Sequence, residues 1–193
     1  MNKLRWLKFG AYLLAGFSLG SVVVAQDEDL LSKMINRETS GSWYFQPDKP
    51  KARHFKVPEL PGGYAFRVKA TKGVNPWDVQ ASSPVAGAIN EGDVIMINYY
   101  ARAEEAADGG SHLTVRIQLG APPWSSVLET STPLTGEWKS YCAFRVANAN
   151  VPEKKSSVSI HLATAKQVID LGPVLVFNFG KGYDTNKLKF CDG

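Results

Sequence analysis

His112-Leu113-Thr114-Val115-Arg116-Ile117-Gln118-Leu119 alternates polar and apolar residues over eight positions without a fault. Successive strand side chains point to opposite faces, so this period of two makes a strand with one buried and one solvated side. Leu113, Val115, Ile117 and Leu119 fall on the buried side, and His112, Thr114, Arg116 and Gln118 on the other. The same signal recurs outward along the chain. Val94 to Arg102 places Ile95, Ile97, Tyr99 and Ala101 on one face and Met96, Asn98, Tyr100 and Arg102 on the other. Ser157 to Ala163 turns Val158, Ile160 and Leu162 inward and His161 outward. Tyr64 to Ala70 alternates after the turn Pro61-Gly62-Gly63, and Trp138 to Val146 follows the turn Thr135-Gly136-Glu137. Asn75 to Ala81 is a further short candidate strand. Val168 to Phe179 closes the series, with Gly172-Pro173 marking a bulge or bend.

Between these strands the signals are weaker. Residues 26–36 run from acidic to apolar and fit a short helix or an entry strand, and Pro47 to Arg53 reads as a Pro- and Lys-rich loop. About eight strands with almost no helical periodicity predict an all-β fold, an antiparallel β-sandwich. If the strands at 94–102 and 112–119 are neighbours, Asn98, Tyr100, Arg102, Thr114, Arg116 and Gln118 share one polar, aromatic face.

Composition agrees with one globular domain: 193 residues, 44% hydrophobic and 21% charged. The formal charge of +4 invites a nucleic-acid reading, but Lys3, Arg5 and Lys8 lie in a 25-residue leader without acids. Taking these three from 22 basic residues leaves 19 against 18 acidic ones, and the bulk electrostatic case for nucleic acid fails. The leader has a positive start, an apolar stretch from Phe9 to Leu19 and small residues at Val23-Val24-Ala25 before Gln26. That is the pattern of a secretory signal peptide over residues 1–25, with one domain over 26–193. Expected locations are the periplasm or the exterior, with no membrane insertion after cleavage. Such a compartment is oxidising and favours a Cys142–Cys191 disulfide, the alternative being a buried Cys142 and a free Cys191.

A set of short motifs carries a family resemblance. Gly62-Gly63-Tyr64-Ala65-Phe66-Arg67-Val68 is followed by Asn75-Pro76-Trp77-Asp78-Val79-Gln80, then Glu91-Gly92-Asp93 and Tyr99-Tyr100-Ala101-Arg102. Thr135-Gly136-Glu137-Trp138-Lys139-Ser140-Tyr141 and Gln167-Val168-Ile169-Asp170-Leu171-Gly172-Pro173-Val174 come next, with Asn178-Phe179-Gly180 last. In this order they resemble the family 4/9-like carbohydrate-binding modules appended to bacterial xylanases and cellulases, over roughly residues 60–180. The resemblance implies a jelly-roll, galactose-binding-domain-like sandwich that binds a polysaccharide chain in a groove on one sheet without cleaving it. A structural calcium ion is common in such folds, and no cofactor is required; the sequence assigns no calcium ligands.

Sugar recognition needs an aromatic face against pyranose C–H groups and fixed planar polar groups for hydroxyls. The expected ligand-binding residues are Trp77, Asn98, Tyr100, Arg102, Arg116, Gln118, Trp124 and His161. Arginine suits vicinal hydroxyls or a uronate carboxylate, so the expected ligands are β-glycans such as xylan or glucan, or a uronate polymer. Trp77 reads as either core or edge stacking, and the Pro122-Pro123-Trp124 loop presents a rim ring. Trp138 and Tyr99 read as structural, and Asp170 stays open between a sugar contact and a calcium or turn network. The sequence holds none of the common hydrolase, zinc-protease, phosphate-loop or dithiol motifs, and no catalytic residue is assigned. Two alternatives remain: an envelope protein-interaction module on the same fold, and a polysaccharide lyase using Tyr100, His112 or His161, and Arg116.

Overall fold

The computed structural model describes residues 30–47, 51–188, 190 and 191. The leader over 1–25 lies outside the described residues. Ten strands form: β1 Tyr44–Gln46, β2 Lys51–Lys56, β3 Tyr64–Ala70, β4 Gln80–Val85, β5 Asp93–Glu105, β6 His112–Leu119, β7 Ser126–Pro133, β8 Lys139–Val146, β9 Ser156–His161 and β10 Gln167–Lys181. They make two five-stranded antiparallel sheets, one in the order β2-β3-β10-β5-β8 and the other β1-β4-β9-β6-β7. The fold is the expected all-β antiparallel sandwich.

On β5, β6 and β9 the inward sets are those the alternation marks. Ile95, Ile97 and Tyr99 of β5 and Ile169, Leu171, Val174 and Val176 of β10 meet Leu113, Val115 and Ile117 of β6 and Val158 and Ile160 of β9. Full burial of such side chains contributes roughly 1.5–3 kcal/mol each. Tyr99 is core as expected, with its hydroxyl on Thr132 Oγ1 and its ring stacked on Tyr141 at 5.6 Å.

Three sequence expectations are corrected. β5 and β6 are not neighbours, because the connection over 106–111 crosses from one sheet to the other instead of closing a hairpin. Its Gly109 and Gly110 both take positive φ, 84° and 95°, which turns the chain through conformations that side chains resist. Asn75 to Ala81 is a strand only from Gln80; Pro76–Asp78 is a 3-10 turn. Part of the Pro/Lys loop is β2, and the polar strands β1 and β7 add to the count. At 30–36 the chain makes one helical turn and then bridges Met34 to Phe177. Asn36, fully buried, donates to Val174 O at 2.8 Å and accepts from Val176 N at 2.7 Å, fastening this segment to β10.

Gly172-Pro173 is the expected bulge: the β5–β10 register shifts between Leu171 and Val174. A Cβ on Gly172 would stand 2.8 Å from Tyr100 Cβ, so only glycine lets β10 pass there. The Cys142–Cys191 disulfide is present, 49 positions apart in sequence, and draws the C-terminal segment over the outside of the first sheet. A loop of that length is stabilised by about 4 kcal/mol in the chain-entropy account.

The outer face of the first sheet is closed by a ring of charges. Asp170 on β10 has no exposed surface; it accepts from Arg67 Nε and Nη2 of β3 at 2.7 and 2.9 Å and from Arg102 Nε of β5 at 2.7 Å. Glu104 completes the circuit, 2.7 Å from Arg67 Nη1 and 2.9 Å from Arg102 Nη2. The guanidinium of Arg102 also lies 5.2 Å from the Trp138 ring, and that of Arg67 5.3 Å from Phe55. Removing one member of such a buried cluster strands the others. Asp170→Asn is therefore expected to cost about 3 kcal/mol in urea unfolding; an unchanged midpoint and slope would show that the ring is decoration.

Candidate functional site

The sheet built from β1, β4, β9, β6 and β7 has an outer face laid out in straight ranks by the strand register. Residues paired across antiparallel strands project on the same side. The first rank runs Gln46, Gln80, His161, Thr114 and Ser131; the second runs Tyr44, Ser82, Ser159, Arg116 and Glu129; the third runs Pro84, Ser157, Gln118 and Ser126. Strand spacings make this surface about 19 Å across and about 14 Å along the strands. A groove of about 920 Å³ opens on it, lined by Tyr44, Gln46, Gln80, Ser82, Gln118, Ser157, Ser159 and Trp124 among others.

Two half-exposed tryptophans flank the ranks. Trp77 belongs to the 3-10 turn whose start is fixed by its own sequence. Pro76 presets the first φ, and Asp78 accepts from Val74 N at 2.8 Å and Asn75 N at 2.9 Å. Those N–H donors hold the Asp78 carboxyl below its ordinary range, the Asn75 backbone contributing most. The Trp77 ring meets His161 edge-on at 5.9 Å. At the other end, Trp124 follows Pro122-Pro123 with φ at 58°, a conformation a bulky residue takes only when its surroundings impose it. Here Trp124 N donates to Ala121 O at 3.0 Å and Arg116 Nη2 donates to Trp124 O at 3.3 Å.

Arg116 lies 2.9 Å from Glu129 Oε2, so its charge is matched in place. Ser159 Oγ donates to Gln80 Oε1 at 2.9 Å, and the Gln80 amide donates to Gln46 Oε1. Gln118 is buried at the floor with its Oε1 unpartnered. His161 is driven below its ordinary pKa, first by burial and then by Arg116, with Glu129 opposing. It is a neutral imidazole at neutral pH, able to donate and to accept.

The expected site residues divide into two groups. Arg116, Gln118 and His161 come together on this face, with Trp77 and Trp124 at its ends. Asn98, Tyr100 and Arg102 do not join them; they sit on the outer face of the other sheet, across the core. Arg102 is committed to the Asp170 ring. Asn98 Nδ2 donates to Ser140 Oγ at 2.7 Å, and Tyr100 packs with Trp138 beside Val57 and Leu60. The shared face drawn from β5 and β6 is thus two faces, and a Tyr100–His161–Arg116 lyase constellation does not assemble. Sequence reasoning missed Tyr44, Gln46, Gln80, Ser82, Ser157 and Ser159. Gln80 ends the quoted Asn75–Gln80 motif, and Ser157 and Ser159 alternate with Val158 and Ile160, so their outward placement had a signal.

Calcium takes six to eight oxygen ligands, carboxylate, carbonyl and water among them. Among the described residues no three His, Cys, Asp or Glu side chains converge. The two most buried carboxylates face N–H donors: Asp170 the guanidiniums, and Asp93 the Asn90 backbone and the Asn178 amide, both at 2.8 Å.

No family model and no curated protein matches the chain. Solved structures do. A CBM4 carbohydrate-binding module is similar at 17% identity and a TM-score of 0.53, covering 70% of this chain and 94% of that one. The second N-terminal cellulose-binding domain of Cellulomonas fimi β-1,4-glucanase C is similar at 20% identity and 0.51, over 77% and 93%. An arabinose-bound MgGH51 α-L-arabinofuranosidase is similar at 14% and 0.52, over 77% of this chain but 26% of the enzyme. At these identities the likeness is one of fold: the chain is a β-sandwich of the kind found in carbohydrate-binding modules.

Proposed function

We propose that the protein binds a polysaccharide chain, without cleaving it, on the ranked outer face of the β1-β4-β9-β6-β7 sheet. The observation that carries this reading is the pairing of three straight ranks of short hydroxyl and amide side chains with exposed tryptophans at both ends. Tryptophan offers a flat apolar surface for pyranose C–H groups, and Gln and Ser offer donors and acceptors at fixed height for hydroxyls. Gln118 Oε1, buried and unpartnered, is satisfied by one sugar hydroxyl. The face suits a run of several sugar units better than a single ring.

Arg116 is paired with Glu129, so a uronate approaching it meets a carboxylate as well as a guanidinium. Neutral β-glycans of the xylan or glucan type are therefore preferred over uronate polymers. Of the residues expected from sequence, Trp77, Arg116, Gln118, Trp124 and His161 serve this site, and Asn98, Tyr100 and Arg102 stand outside it. Arg116 acts as a positioning residue that steadies the Trp124 loop. The leader supports export to the periplasm or beyond.

In affinity electrophoresis, soluble xylan, β-glucan or mannan is expected to retard the protein, while alginate retards it less. Trp124→Ala and Gln118→Ala each weaken binding at least tenfold without changing the melting temperature, and Tyr100→Ala leaves the glycan affinity intact. Failure of the folded protein to bind any of these polymers would count against the reading.

His161 adds a pH signature. Its folded pKa is lowered, so below the ordinary value near 6.5 the unfolded chain takes up its proton first. Its contribution to stability is full above pH 6.5 and declines as pH falls through the folded value. Glycan affinity holds until pH reaches the folded value and falls below it, because protonation of the folded protein removes an acceptor from the first rank. His161→Gln is expected to remove this part of both profiles, as read by thermal melts and titrations from pH 8 to 4.5.

A further inference from the structure

The outer face of the other sheet carries a second concavity, separated from the ranked face by the whole core. It is a pocket of about 580 Å³ over β10, β5 and β8, within the range that encloses a small organic ligand. Met96, Leu175, Phe177 and Leu188 give it apolar walls, and Phe179 and Tyr183 stack beside it with ring centroids 4.5 Å apart. The Cys142–Cys191 bridge holds the C-terminal wall in place.

Two features of this pocket specify polarity. Asn98, 8% exposed, lines it with its Nδ2 spent on Ser140 Oγ and Tyr141 O, while its Oδ1 has no partner. A buried carbonyl without a donor is costly, and a ligand N–H or O–H relieves it. The charged lining residues are Lys33, half-buried, and Lys187, exposed, whose Nζ lies 5.7 Å from the Tyr183 ring. Among the described residues no acidic side chain lines the cavity.

We propose that this pocket binds a small aromatic acid. Its ring lies against Phe179, Tyr183 and the aliphatic walls, an N–H or O–H reaches Asn98 Oδ1, and its anionic group faces Lys33 and Lys187. A fatty acid supplies no such donor, and a sugar has no apolar body to fill the walls.

8-Anilinonaphthalene-1-sulfonate has this chemistry, with two aromatic units, one N–H and one sulfonate. Titrated into the folded full chain, it is expected to give a saturable fluorescence rise with one site per molecule. Lys187→Glu weakens binding at least tenfold, and Leu175→Trp, which fills the cavity, abolishes it. The uncharged N-phenyl-1-naphthylamine binds but is indifferent to Lys187→Glu. The N-methylated sulfonate binds at least fivefold more weakly than its parent, and a hydroxycinnamate displaces the dye. Polysaccharide bound to the opposite face leaves the titration unchanged. No saturable binding, or binding insensitive to Lys187→Glu, overturns the proposal; so does equal affinity for the N-methylated dye, which would remove Asn98 from it. Should Leu175→Trp fail to melt cooperatively, Lys187→Glu, at an exposed position, decides the matter alone.

Discussion

A carboxylate with no exposed surface, Asp170, stands on the central strand of one sheet between guanidiniums from the strands on either side. Buried charges are expensive, and a ring in which Arg67, Asp170, Arg102 and Glu104 alternate in sign limits that expense. Its larger consequence is register. Asp170 faces Arg67 on β3 and Arg102 on β5, and a slip of β10 by one residue would turn the carboxylate into the core and Ile169 and Leu171 out of it. With the register fixed there, the bulge at Gly172-Pro173 falls beside Tyr100, and Val174 and Val176 return to the core. Asn36 then finds Val174 O and Val176 N at the spacing it spans, and the N-terminal segment docks.

The strands were legible in sequence wherever one face was continuously apolar. β5, β6 and β9 each advertise their core side, and each places those residues as expected. Alternation distinguishes inside from outside, yet it is silent on which of two sheets a strand joins. Outward residues of β5 and β6 therefore looked like one surface, although the connection between them changes sheets. Arg102 shows the same limit at the level of one side chain. An outward arginine on a strand reads as solvated or ligand-binding; its actual partners are Glu104, two residues on, and Asp170, which only long-range pairing brings beside it. β1, β2 and β7 lacked the apolar stripe. Half of Ser126–Pro133 is hydroxyl residues, and Lys51–Lys56 resembles a basic loop. By contrast, Arg116, Gln118 and His161 come together because β6 and β9 are neighbours.

The two outer faces differ because the sandwich treats them differently. On one, the disulfide, the N-terminal turn and the clusters around Leu188 and Leu60 cover most of the sheet, leaving a pocket with apolar walls. On the other, the strands carry Ser, Thr and Gln outward, and a groove of about 920 Å³ opens on it. The ranked face rests on strands, which fixes its side chains in place, whereas the pocket takes Lys33, Tyr183 and Lys187 from outside the strands. At one end of that face Trp124 comes from a loop, held at a φ of 58° by a backbone turn and by Arg116. Arg116 reaches it from the middle rank while Glu129 neutralises its charge. Arg116 thus bears on two properties of the face, steadying its rim aromatic through Trp124 O and pairing its own charge with Glu129.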